Sequence, residues 1–143
     1  MSTDDPITLD EYRALAEFRY RLRRFLAFSE TAGREAGLEP QQHQLLLAVQ
    51  GLPEGAVPTI GVLAERMQIR QHSAGELVDR ASQAGLVERR AGAEDRRVVI
   101  VVLTAKGQEI LQSLSVAHRA ELRALGPGLV EALGTLLGAA HAS

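Results

Sequence analysis

The chain contains no cysteine, which excludes disulfides, thiolate metal sites and thiol-based redox sensing. No apolar run approaches the roughly 20 residues that span a bilayer, so no membrane partner is expected. The opening residues, Met1-Ser-Thr-Asp-Asp-Pro6, are acidic and lack the basic-then-apolar order of a secretory signal. A soluble cytoplasmic protein is therefore the expectation. Also missing are a glycine-rich phosphate loop, a nucleophile elbow and a His-Glu-x-x-His helix. A catalytic constellation would have to be assembled from carboxylates alone, so no enzyme and no cofactor are expected.

What is present is an ordinary globular composition: 143 residues, 45% hydrophobic and 24% charged, enough to bury the core of one domain. The net charge of −2 conceals an asymmetry. Between Arg66 and Lys106, eight Lys and Arg stand against five Asp and Glu, leaving the remaining chain at −5. A locally basic module in an acidic protein is compatible with phosphate binding, because screening confines charges to a range of about 10 Å or less.

Apolar residues Leu15, Phe18, Leu22, Phe25 and Leu26 recur at spacings of three and four, predicting a helix from Glu11 to about Arg34. Arg13, Arg19, Arg21, Arg23 and Arg24 are interleaved on it, as a solvated face or one paired with acids of a second copy. A second helix is expected over residues 41–50, then a turn-rich break through Pro58. Thr59 is a candidate N-cap for a short helix ending near Met67. After the Gln68-Ile69 turn, a further helix is expected from Arg70 to Ala84, stopped by Gly85. Two short helices with such a turn match the helix-turn-helix pattern.

The period then changes. Leu86–Arg90 and the β-branched run Arg97–Leu103 read as two strands around the polar tip Ala91–Asp95. A two-stranded ribbon directly after a candidate recognition helix is a wing. Thr104 is expected to cap another long helix, which Gly126-Pro127-Gly128 should break before a last amphipathic segment carrying Leu129, Val130, Leu133, Leu136 and Leu137. The fold class is thus mainly α with a small β-wing. Packing against a second copy would bury the apolar faces of the end helices and would suit a two-fold symmetric DNA site.

Three runs, Gly85-Leu-Val-Glu-Arg89, Asp95-Arg-Arg97 and Leu103-Thr-Ala-Lys-Gly107, resemble the wing region of the MarR (multiple antibiotic resistance regulator) family. Leu63-Ala-Glu-Arg-Met67 and Leu77-Val-Asp-Arg80 fall where that family has its first helix-turn-helix helix and its recognition helix. The order matches from about residue 8 to 140. The resemblance implies one MarR-like domain spanning 1–143, with dimerisation helices at 8–36 and 104–142 flanking a winged helix-turn-helix lobe at 40–103. It further implies a homodimer astride pseudo-palindromic double-stranded DNA, acting as a repressor that a small aromatic or phenolic effector releases.

On the recognition helix, Arg70, Gln71, His72, Ser73 and Glu76 are the candidate readers, since the major groove presents a donor and acceptor code. Arg and Gln suit guanine and adenine, whereas Glu76 would either accept from cytosine N4 or be repelled by phosphate. Gly75 is unexpected inside this helix, at about 1 kcal/mol relative to alanine. On the wing, an Asp two residues before an Arg can hold it through a charge-assisted bidentate pair. The resemblance assigns Asp95 to positioning Arg97, Arg97 to the minor groove, and Arg96 to phosphate or the groove wall. Arg89 and Arg90 are expected to contact phosphate or brace the wing.

A ligand pocket could draw on Tyr12, Phe18, Tyr20, Phe25, Phe28 and His43, each of which equally suits plain core. His43, His72, His118 and His141 raise a metal-sensing regulator, but no two form a close pair on one helix face, and no metal is expected. The remaining alternative is a non-specific DNA-binding or protein-interaction module, favoured by Gly75, Glu76 and the negative net charge.

Overall fold

The computed structural model describes residues 5–138. In chain order its elements are α1 (Leu9–Glu35), α2 (Pro40–Gln50), α3 (Ile60–Met67), α4 (Gln71–Gln83), β1 (Val87–Ala91), β2 (Val99–Leu103) and α5 (Ala105–Leu137). The architecture is mostly helical, with a two-stranded antiparallel wing and long terminal helices. The boundaries of α1 to α4 and of both strands lie within about two residues of those expected, which is the ordinary uncertainty of element ends.

Local chemistry explains these ends. Thr8 and Glu11 open α1 with reciprocal side-chain bonds to each other's backbone N–H, at 3.1 and 3.0 Å. Gly37, at φ +83°, closes it with the Leu38 N–H reaching the Gly33 carbonyl at 2.9 Å. Thr59 caps α3 by accepting the Val62 N–H at 3.2 Å, the role its side chain suggested.

The chain divides into two compact units, one made of the segments up to Thr31 and from Val116 onward, the other of Ala32–Ser115. The second unit contains a core in which Leu45, Leu46, Leu63, Val78 and Val101 are fully excluded from solvent. Leu111 and Leu114 of α5 join it. Each such aliphatic side chain contributes about 1.5–3 kcal/mol by burial, so a cluster of this size is ample to order three short helices that would be marginal alone.

In the first unit the expected break at Gly126-Pro127-Gly128 does not occur, and α5 runs unbroken through Pro127. Proline inside a helix removes the donor to the carbonyl four residues earlier and costs about 3 kcal/mol. Here that carbonyl belongs to Arg123, an exposed residue. Leu125 and Ala132, both 5% exposed, are buried two turns apart on either side of the proline and keep both halves in phase. Arg21, held by Glu17 at 2.8 Å, donates to the Leu125 carbonyl at 3.4 Å. Its guanidinium lies where a Cβ at residue 128 would be, so Gly128 is a close-approach glycine and not a breaker.

Most of the arginines of α1 are exposed, as a solvated face requires. Arg13 pairs with Asp10 at 3.6 Å and Arg21 with Glu17, so both find acids on their own helix. Among the proposed pocket residues, Tyr12 and Tyr20 are exposed, Phe18 is half-buried and His43 is buried. Phe25 and Phe28 are also half-buried and meet the His118 ring edge-on at 5.6 and 5.5 Å, while Ser29 Oγ lies 2.8 Å from its Nε2.

Candidate nucleic-acid interface

The second unit holds every residue singled out for DNA contact. α3 is C-capped by Gln68, whose left-handed backbone (φ 55°, ψ 46°) turns the chain sharply, with the Ile69 N–H on the Ala64 carbonyl at 3.0 Å. Arg70 then takes extended geometry as the N-cap of α4, so the helix begins one residue later than expected. Its side chain makes no cap bond, which leaves the positive end of α4 open to an anion.

Ala74, Leu77, Val78 and Ala81 are at most 1% exposed and fix the inward face of α4. Arg70, Gln71, His72, Ser73 and Glu76 are all exposed. His72 Nε2 lies 3.1 Å from the Glu76 carboxylate, one turn away. Gly75 is half-buried on the flank, and an added Cβ would meet nothing within 4 Å.

β1 and β2 pair antiparallel from Val87 opposite Leu103 to Ala91 opposite Val99. The far edge of β2 is also occupied, as the Val101 N–H donates to the Pro58 carbonyl at 2.9 Å. At the tip, the Gly92 N–H donates to the Val98 carbonyl at 2.8 Å and the Val98 N–H to the Asp95 carbonyl at 3.1 Å. A side chain at Gly92 would come within 2.7 Å of that Asp95 carbonyl, so the tight tip requires glycine.

Asp95 and Arg97 form the bidentate pair their spacing suggested. Asp95 Oδ1 accepts from Arg97 Nε and from the Arg97 backbone N–H, both at 3.1 Å, and Oδ2 accepts from Nη2 at 3.0 Å. These bonds hold the Asp95 carboxyl below the usual carboxylate range and raise the Arg97 guanidinium further. The Arg97 side chain is nevertheless 91% exposed. It is an extended, oriented cation at the end of the wing.

The remaining arginines separate into braces and free cations. Arg89 of β1 reaches Asp79 of α4 at 2.8 Å and ties wing to helix. Arg90 pairs with Glu88 on its own strand. Arg80 spans to Glu39, ahead of α2, at 3.0 Å. Arg66, Arg70 and Arg96 are exposed and have no ion-pair partner among the described residues. Asp79 and Arg66 were missed by the sequence reading. The outward row of α4, once its apolar face is known, would have found Asp79; Arg66 in the last turn of α3 carries no comparable signal.

The motif residues around the wing prove architectural. Thr104 Oγ1 donates to the Gly85 carbonyl and accepts the Gly107 N–H, and Lys106 Nζ donates to the Ala84 carbonyl at 2.9 Å. A Cβ at Gly107 would collide with the Leu86 carbonyl. The start of α5 is thereby locked to the end of α4. Among the described residues no group of three His, Asp or Glu could hold a metal ion, and no helix is long and apolar enough to cross a membrane. His141 lies outside the described residues.

Residues 36–98 match the MarR family model. The HTH-type transcriptional regulator YsmB of Bacillus subtilis (strain 168), itself uncharacterised, is 31% identical over 113 residues, covering 76% of this chain and 75% of its own. The chain belongs to the MarR family. Its fold recurs in CouR from Rhodococcus jostii, solved with p-coumaroyl-CoA bound, at a TM-score of 0.60 and 22% identity over 69% of this chain and 68% of that one. It recurs also in a MepR variant of S. aureus bound to an oligodeoxyribonucleotide, at a TM-score of 0.62 and 16% identity over 85% and 84%. The MarR family is one of transcriptional regulators, and its helix-turn-helix and wing are the elements described above.

Proposed function

We propose that this MarR-family chain is a sequence-specific repressor that works in the cytoplasm as a homodimer on a pseudo-palindromic operator. The observation that carries this reading is the pre-ordered Asp95–Arg97 wing tip in the same lobe as an exposed α4. In this reading α4 enters the major groove through Arg70, Gln71, His72, Ser73 and Glu76. Arg97 enters the adjacent minor groove, where narrow A·T-rich tracts concentrate negative potential. Arg66 and Arg96 supply phosphate contacts, and Arg89 and Arg90 brace the wing.

The second copy is supported by exposed apolar side chains on the terminal helices: Leu9, Tyr12, Leu26, Val130 and Leu137 are each more than half exposed. Large apolar side chains left this exposed on long helices are what a second copy would cover. A small aromatic or phenolic effector is supported by family membership and by the p-coumaroyl-CoA found in CouR.

The test is anisotropy titration against the chain's own promoter-region duplex and a shuffled control at two salt concentrations. Selective binding that persists at the higher salt is expected, together with weaker binding and lost A·T preference for Arg97→Ala. Equal, salt-labile binding to both duplexes would replace this reading with a non-specific or protein-interaction module.

A further inference from the structure

The burial of Ala74, Leu77, Val78 and Ala81, combined with 3.6 residues per turn, places His72, Glu76, Asp79 and Gln83 along the opposite side of α4. This outward row contains no arginine or lysine and two acids. Asp79 is committed to Arg89 at 2.8 Å. Glu76 keeps a side chain 57% exposed, held by His72 at 3.1 Å. A carboxylate in the major groove is repelled by the flanking phosphates and carries acceptors only. Guanine N7 and O6 and thymine O4 are acceptors too and repel it. Adenine N6 lies between two acceptors, its own N7 and the paired thymine O4, whereas cytosine N4 has an acceptor on one side only, the O6 of its paired guanine, and the C5–H edge on the other.

We propose that Glu76 is a specificity-determining residue that demands a C·G pair at one fixed place in each half-site, its carboxylate accepting from cytosine N4. The assignment rests on the sequence-specific reading above and adds to it the base class that α4 selects. His72 is a positioning residue, keeping the carboxylate in one rotamer. Glu76 serves discrimination more than affinity, because beside a base edge that presents only acceptors its carboxylate gains no hydrogen bond.

Selection from a random duplex library tests this for the full-length protein, comparing the wild type with Glu76→Ala and Glu76→Gln, each confirmed folded by thermal melting. The wild-type motif is expected to hold an obligatory C·G pair, with replacement costing roughly 5- to 150-fold in affinity. In Glu76→Ala that position should lose its preference while all others keep theirs. In Glu76→Gln it should move toward A·T, since glutamine is bidentate to adenine N6 and N7. His72→Ala should retain the C·G preference with a smaller ratio. A wild-type motif unchanged at every position in both Glu76 variants overturns the assignment and leaves sequence-specific binding standing. A wild type that selects no motif overturns both.

Discussion

Replacing Gly75 and Gly107 by alanine, one at a time, should move stability in opposite directions. Both lie within helices, so helix propensity alone assigns each change a gain of about 1 kcal/mol, partly through the unfolded chain. At Gly75 nothing lies within 4 Å of the new Cβ and the gain should survive in full, raising Tm by about 3 °C for a chain of this size. At Gly107 the Cβ would collide with the Leu86 carbonyl. That is backbone, held by the Thr104 N–H at 3.0 Å, and no side-chain rotation relieves it. Parting Leu86 from α5 would disrupt the neighbouring Thr104 and Lys106 bonds, so a net loss of about 2 kcal/mol or more is expected. The assay is thermal and urea unfolding at one fixed protein concentration, since association contributes to apparent stability. A Gly75→Ala variant no more stable than wild type, or a neutral Gly107→Ala, would refute the reasoning.

Two further outcomes follow from the wing. Because Arg97 lowers the Asp95 carboxyl, the ordering it provides is complete above the usual carboxylate range and is lost as pH falls through the lowered value. Carboxyl-resolved NMR titration should show Asp95 protonating at higher pH in Arg97→Ala than in the wild type, and identical midpoints would remove the pair. The Arg89–Asp79 bridge is about half exposed on both sides. A double-mutant cycle with Arg89→Met and Asp79→Asn should therefore give a stability coupling of only about 0.2–1 kcal/mol, alongside a larger loss of DNA affinity if wing and α4 must hold a fixed geometry. Loss of folding with affinity per folded molecule unchanged would make the bridge purely structural.

Much of this molecule was legible in local chemistry. The three-and-four spacing of α1, the Thr59 cap, the switch to β-branched residues after Arg97 and the Asp-Arg-Arg tip each depend on neighbours within a turn or a hairpin. The chain order alone therefore carried the helix-turn-helix and wing. The Asp95–Arg97 pair belongs to this class, for its partners are two residues apart.

What escaped the sequence depended on partners distant along the chain. Pro127 looked like a helix breaker because its local cost is fixed, whereas the burial of Leu125 and Ala132 and the reach of Arg21, more than 100 residues upstream of Leu125, are not local. Gly75 and Gly107 are alike in sequence, and only the Leu86 carbonyl separates a tolerant position from a forbidden one. Arg89 read as either a phosphate contact or a brace of the wing, and only the fold shows Asp79 beside it. Sequence by itself determined which elements form and in what order, because hydrophobic periodicity and capping act over a few residues. Tertiary structure decided which charges are spent on bracing the lobe and which stay exposed without an ion-pair partner, because pairing depends on distances that only the folded chain sets.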